Sequence, residues 1–154
     1  MTEPQPTSAT AFTDAQRAKL IRAAWLIVGS RVDAEDAVHD AWLSCSSHLA
    51  DVDDPDAYLR RAVINRCLSL LRSRERATRA VNRIVADDVI PPRHLVEFRD
   101  LIQTLPIRQR TAVVLRYYCD TPDTEIATHL GCAEVTVRVL IHRALRHLRS
   151  EIEP

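Results

Sequence analysis

Glycine is nearly absent from this chain. Only Gly29 and Gly131 occur in 154 residues, and β-branched runs bounded by turn signals are scarce. Sheets need such turns, so the shortage points away from strands and toward an all-α protein rich in alanine, leucine and arginine. No stretch approaches the roughly 18 apolar residues of a membrane span. The four cysteines, Cys45, Cys67, Cys119 and Cys132, form no C-x-x-C pair, and no histidine completes a zinc-like spacing. They read as small buried thiols in a reducing cytosol. A glycine-rich phosphate loop, a metal constellation and a Ser-His-Asp spacing are also missing. This argues against an enzyme and against a bound cofactor or metal. Asp36 and Asp40 share a helix face, where a solvated or partner-facing pair outweighs a metal-binding one.

Charge is present in quantity but unevenly placed. The formal net charge is zero. Residues 1–57 hold 4 basic and 10 acidic side chains, whereas residues 58–86 hold 8 arginines and one glutamate. Residues 87–154 are nearly balanced, with 9 basic and 10 acidic. An acidic front is thus followed by a basic belt, and local basic stripes matter more for phosphate binding than the overall balance. Arginine outnumbers lysine twenty to one.

The periodicities predict two small helical domains joined by a linker. Residues 1–12 read as a loose tail, not a signal peptide. The first domain covers 13–76. Thr13 caps a helix that Gly29 ends, and Asp33 caps a second helix with Ala34, Ala37, Val38, Ala41 and Trp42 inward. A third helix starts near Asp56 and runs to about Arg76. Tyr58, Leu59, Ala62, Val63, Cys67, Leu70 and Leu71 keep its 3.6 period, and arginines cover much of the rest. In 77–95 the period fades and Pro91-Pro92 forbids a helix. These 19 residues reach about 65 Å when extended, roughly two duplex turns of ~34 Å.

The second domain, 96–154, has four predicted helices. The first runs from Val96 to Thr104. Pro106 opens the next. Thr121 caps the third, with Pro122 in its first turn. The last runs from about Glu134 to Ile152, with Val137, Ile141, Ala144, Leu145, Leu148 and Ile152 as its buried stripe. The pair Thr124–Leu130 and Glu134–Ile152 around Gly131 has the form of a helix-turn-helix, whose second helix reads the DNA major groove.

With these residues in hand, the chain resembles a bacterial RNA polymerase sigma factor of the small extracytoplasmic-function class. Two ordered blocks carry the likeness. Ala34-Glu-Asp-Ala-Val-His-Asp-Ala-Trp42 with Tyr58-Leu-Arg-Arg-Ala-Val-Ile-Asn-Arg-Cys-Leu-Ser-Leu-Leu-Arg72 resembles the family's second conserved region. Leu105-Pro-Ile-Arg-Gln-Arg-Thr-Ala-Val-Val-Leu-Arg-Tyr-Tyr118 with the helix-turn-helix resembles its fourth. The resemblance implies a cytoplasmic protein that binds core polymerase and directs promoter-specific initiation. Glu35, Asp36, His39 and Asp40 would meet the clamp coiled coil. Arg60, Arg61, Asn65, Arg66 and Arg72 would hold the melted −10 element, its extruded bases lodging beside the loop from Leu49 to Asp56. Glu134, Thr136, Arg138, Val139, His142 and Arg143 would read the −35 element, while neighbouring helices meet the polymerase flap. An anti-sigma factor is a further implied partner.

The chain also departs from that pattern. His39 stands where the family usually has Gln, and Ser69 where it has Asp. Ala133 replaces a common capping Ser, Val135 a frequent Gly, and Val139-Leu140 a common Ser-Arg pair. Three consequences stay open: an unusual promoter preference using thymine methyls, weakened DNA binding, or a protein contact. Two alternative functions follow from the same residues. One is a helix-turn-helix transcriptional regulator, which would leave the acidic and basic helices of the first half unexplained. The other is a sigma-like polymerase-binding protein with weakened DNA recognition.

Overall fold

The computed structural model describes residues 12–77 and 92–153. Within them are seven α-helices and no strand. Residues 1–11 and 78–91 fall outside the described residues, and with them most of the expected tail and linker. At the linker's edges α3 continues to Ala77 and α4 begins at Arg93, three residues before the expected start at Val96.

The first unit is a three-helix bundle of α1 (Asp14–Val28), α2 (Arg31–Cys45) and α3 (Pro55–Ala77). Thr13 and Gln16 close a reciprocal capping box at the start of α1, and Gly29 ends it with φ +81°. Ser30, not Asp33, caps α2, because its hydroxyl accepts from Asp33 N–H. Asp33 lies a turn inside and pairs with Arg74 of α3 instead. Pro55 sits first in α3, where a missing N–H leaves no bond unmade. The Asp54 carboxylate accepts from Ala57 N–H at 3.1 Å, so this aspartate is the cap. Ala34, Ala37, Val38 and Ala41 face inward as expected, while Trp42 is half-buried and stacks on Phe12 with ring centroids 5.0 Å apart. Along α3, Leu59, Val63, Ile64, Cys67, Leu68 and Leu71 are buried. Tyr58 is a correction: it is exposed.

The second unit holds α4 (Arg93–Ile102), α5 (Ile107–Val113), α6 (Asp123–Leu130) and α7 (Glu134–Ile152). A wider π-type turn, Val114–Tyr118, extends α5. Thr121 does not cap α6: it is buried, and Pro122 occupies the cap position without a side-chain bond. Gly131 ends α6 in the left-handed region, at φ +62°. Helix α7 spans the expected residues and buries Val137, Ile141, Ala144 and Leu148. Leu145 and Ile152, expected in that stripe, are exposed.

The two units share a seam rather than standing apart. Their buried side chains form one continuous apolar cluster, and α1 packs on α5 and the turn after it. Polar groups close the same seam. The carbonyls at the end of α1 have lost their helical partners, and side chains of the second unit supply new ones. Gln103 Nε2 donates to Leu26 O at 2.9 Å and Arg110 to Ile27 O at 2.7 Å. Arg99 donates to Gly29 O and lies 5.4 Å from the centre of the Trp25 ring. Arg110 is almost wholly buried and donates also to the carbonyls of Ile102, Gln103 and Leu105. Burial lowers its pKa from the ordinary arginine value, and this ring of carbonyls accepts from its N–H groups in place of water.

Candidate nucleic-acid interface

Helix α3 presents an outward face built at helical spacing. Arg61, Asn65 and Arg72 are all exposed and share one side, and Tyr58 lies a turn before them on that side. The combination offers charge to phosphates, an amide to a base edge and an aromatic ring on which an unpaired base can stack. Tyr58 was missed from sequence as a member of this face. Its spacing of three from Arg61 and seven from Asn65 was the available signal.

The other two arginines expected at this site lie on its flanks. Arg66 is exposed and turns toward α2, where it donates to Ser44 Oγ at 3.4 Å. Arg60 is half-buried and turns toward the second unit. Its guanidinium meets Glu125 of α6 at 3.2 Å, and Arg61 approaches the same carboxylate at 3.8 Å. The aspartates of the loop before α3 divide their duties. Asp54 caps the helix and Asp56 accepts from Gln16 Nε2 at 2.8 Å, while Asp51 and Asp53 face solvent.

On α2, Asp36, His39 and Asp40 are exposed on one side of the helix. Glu35 is half-buried and pairs with Arg31 at 2.9 Å, an i,i+4 contact. The acidic patch is therefore centred on Asp36 and Asp40.

On α7, Glu134, Arg138, Val139, His142 and Arg143 are exposed and Thr136 is half-buried. Val135 and Val139 stand one turn apart at the outward crest, 58% and 42% exposed, with Arg138, Arg143 and Arg146 around them. Glu134 is the only acid in the first four turns of the helix. Ala133 forms no side-chain cap, as its apolar side chain requires.

Between the two surfaces lies a buried histidine. His129 Nε2 is 3.7 Å from Glu125 Oε1, the same oxygen that Arg60 and Arg61 approach. Burial lowers the His129 pKa. Glu125 opposes this, and Arg61 and Arg60 add to the lowering. Among the described residues no group of His, Cys, Asp and Glu is placed to hold a metal ion, and no helix is long and apolar enough to cross a membrane.

The same two units are matched separately by known families. Sigma-70 region 2 matches residues 14–77 and sigma-70 region 4 matches residues 95–148. The RNA polymerase sigma-E factor of Streptomyces avermitilis is 32% identical over 141 residues, covering 87% of this chain and 79% of that protein. The extracytoplasmic-function sigma factor SigJ of Mycobacterium tuberculosis is 31% identical across 90% of this chain, which spans 49% of its length. In fold, the chain is similar to the sigma factor RpoE of Bartonella quintana, crystallised with the anti-sigma factor NepR. That likeness has a TM-score of 0.75 at 21% identity and covers 90% of this chain and 92% of that one. The chain therefore belongs to the sigma-70 family as an extracytoplasmic-function RNA polymerase sigma factor, a non-enzymatic subunit that directs transcription initiation.

Proposed function

We propose a division of labour between the two units, in which residues 13–76 bind core polymerase and the melted −10 element and residues 96–154 read the −35 element. The observation that carries it is the outward face of α3, where Tyr58, Arg61, Asn65 and Arg72 are exposed together. Melting costs base stacking, and an exposed ring with cations alongside offsets that loss for an extruded base. Arg60 and Arg66 extend the cationic surface on either flank. On α2, Asp36, His39 and Asp40, with Glu35 beside them, form the surface for the clamp coiled coil. In the second unit, the start of α7 enters the major groove through Glu134, Thr136, Arg138, Val139, His142 and Arg143. Val135 and Val139 meet thymine methyls there, the apolar feature of the groove. The protein acts in the cytoplasm, with core polymerase, and an anti-sigma factor is a fitting further partner. One structural neighbour was co-crystallised with the anti-sigma factor NepR, and another, CnrH, is known in complex with the cytosolic domain of CnrY.

The test is transcription with core enzyme across a promoter library. Arg61→Ala combined with Asn65→Ala is expected to keep core binding and lose open-complex formation. Normal promoter opening by that variant would remove the α3 face from the site. Folded protein that fails to bind core would overturn the assignment to α2.

A further inference from the structure

We infer that α7 reads a methyl group rather than a base, so that 5-methylcytosine in the −35 element serves it as thymine does. Cytosine methylation thereby becomes a promoter signal, an inference that rests on α7 being the −35 helix. Val135 and Val139 stand one turn apart at the crest of the helix, 58% and 42% exposed, within its first two turns. Those turns are the part of a recognition helix that reaches base edges. Thymine's apolar feature in the major groove is its C5 methyl, which sits beside the O4 acceptor. 5-Methylcytosine carries the same methyl beside the N4 donor of cytosine. Valine has neither donor nor acceptor, so it reads the methyl and is blind to the group beside it. An Asn, Gln or Arg at either position would tell the two bases apart.

The charges around the valines favour duplex DNA as the occupant of this crest. Arg138, Arg143, Arg146 and Arg149 are exposed on α7, and none of them meets a carboxylate among the described residues. Elsewhere the chain's own acids take up its arginines: Arg60 and Arg61 face Glu125, Arg74 faces Asp33 and Arg116 faces Asp123. The arginines of α7 are left to an anion from outside, and a row of them along one helix matches a row of phosphates. An apolar protein surface laid on the same crest would strip water from these cations and return no counter-charge.

The neighbouring side chains suit a cytosine–guanine pair as well as a thymine–adenine pair. Glu134 is exposed just before Val135 and offers an acceptor to the cytosine N4 amino group. Arg138 and Arg143 are exposed about a turn beyond Val135 and Val139, and each offers the fork of donors that guanine O6 and N7 accept. Guanine stands opposite every methylated cytosine, so the methyl and its paired purine both find a reader on this helix. Each methyl taken out of water by a valine is worth about fourfold in affinity. Two such contacts acting independently multiply to roughly sixteenfold.

The test is competitive binding of the holoenzyme to duplexes that carry a −35 element selected from a promoter library. One pyrimidine at a time is synthesised as thymine, deoxyuridine, cytosine or 5-methylcytosine, each opposite its matching purine. At one or two positions thymine should bind about fourfold tighter than deoxyuridine, and 5-methylcytosine about fourfold tighter than cytosine. Val139→Ala should erase both steps at one of these positions, and Val139→Ile, which keeps the apolar contact, should retain them. Val139 is exposed, so the circular dichroism of both variants should match the parent. A thymine step without a cytosine step overturns the inference and leaves the −35 assignment standing. Steps at neither base also overturn it and hand the crest to a protein partner. Steps that persist when Val135→Ala and Val139→Ala are combined belong to DNA shape, and they overturn it too. The −35 assignment itself is judged by Arg138→Ala with Arg143→Ala, where unchanged promoter binding would take α7 off the DNA.

Discussion

His129 is the residue whose environment most directly couples this chain to pH. Burial penalises its charged form, so it titrates below the ordinary value of 6.5 in the folded chain. The unfolded chain titrates near that ordinary value and therefore holds more protons in the window beneath it. Stability is then complete above pH 6.5 and is lost as the pH falls through that window. Urea midpoints should drop between pH 7.5 and 5.5, and His129→Gln should reduce that drop. An undiminished drop in the variant would place the titration elsewhere. The cysteines behave differently. Burial pushes the Cys67 thiol up to about 12 and raises those of Cys45 and Cys119. Thiolates are the reactive form, so iodoacetamide at pH 8 should label half-buried Cys132 first and the other three only after denaturation. Mass spectrometry of the digested protein reads this directly.

Helix α7 shows how far a single element can be read from sequence. Its limits, its four-residue buried stripe and the glycine before it were all legible, because helical periodicity and the left-handed glycine are local signals. Leu145 and Ile152 were not. They continue the periodic pattern, but burial also needs a neighbour, and these two sit beyond what α4, α5 and α6 cover. Tyr58 on α3 misled for the same reason: the rotation of a helix against its partners is a tertiary outcome. What sequence marked as anomalous on α7, Val135 and Val139, the fold places at its crest. A buried methyl contributes about 0.8 kcal/mol, or roughly fourfold in affinity. Replacing thymines of a selected −35 element by deoxyuridine should therefore weaken holoenzyme binding about fourfold at one or two positions. Val139→Ala should abolish that sensitivity at one of them. A promoter indifferent to the methyl groups would exclude this use of the valines and favour weakened recognition or a protein contact.

At the scale of the molecule, the decisive contacts join residues far apart in the chain. Arg110 reaches Ile27 across 83 positions and Arg60 reaches Glu125 across 65. No local pattern announces such pairs, which is why two helical units were legible and their seam was not. Its energetic consequence can be measured. Leu26 and Ile27 are fully buried, and the side chains capping the end of α1 come from the second unit. Unfolding either unit strips partners from the other, so the free chain should melt in one transition. Trp25 and Trp42 both lie in the first unit and report it by fluorescence, while far-UV circular dichroism reports all seven helices. Coincident curves are the expected result for a coupled chain. Leu26→Ala should cost about 2–5 kcal/mol and move both signals together. If fluorescence shifts and part of the helical signal keeps its original midpoint, the two units are energetically independent. The tertiary coupling of α1 to the second unit would then be too weak to make the chain one cooperative structure.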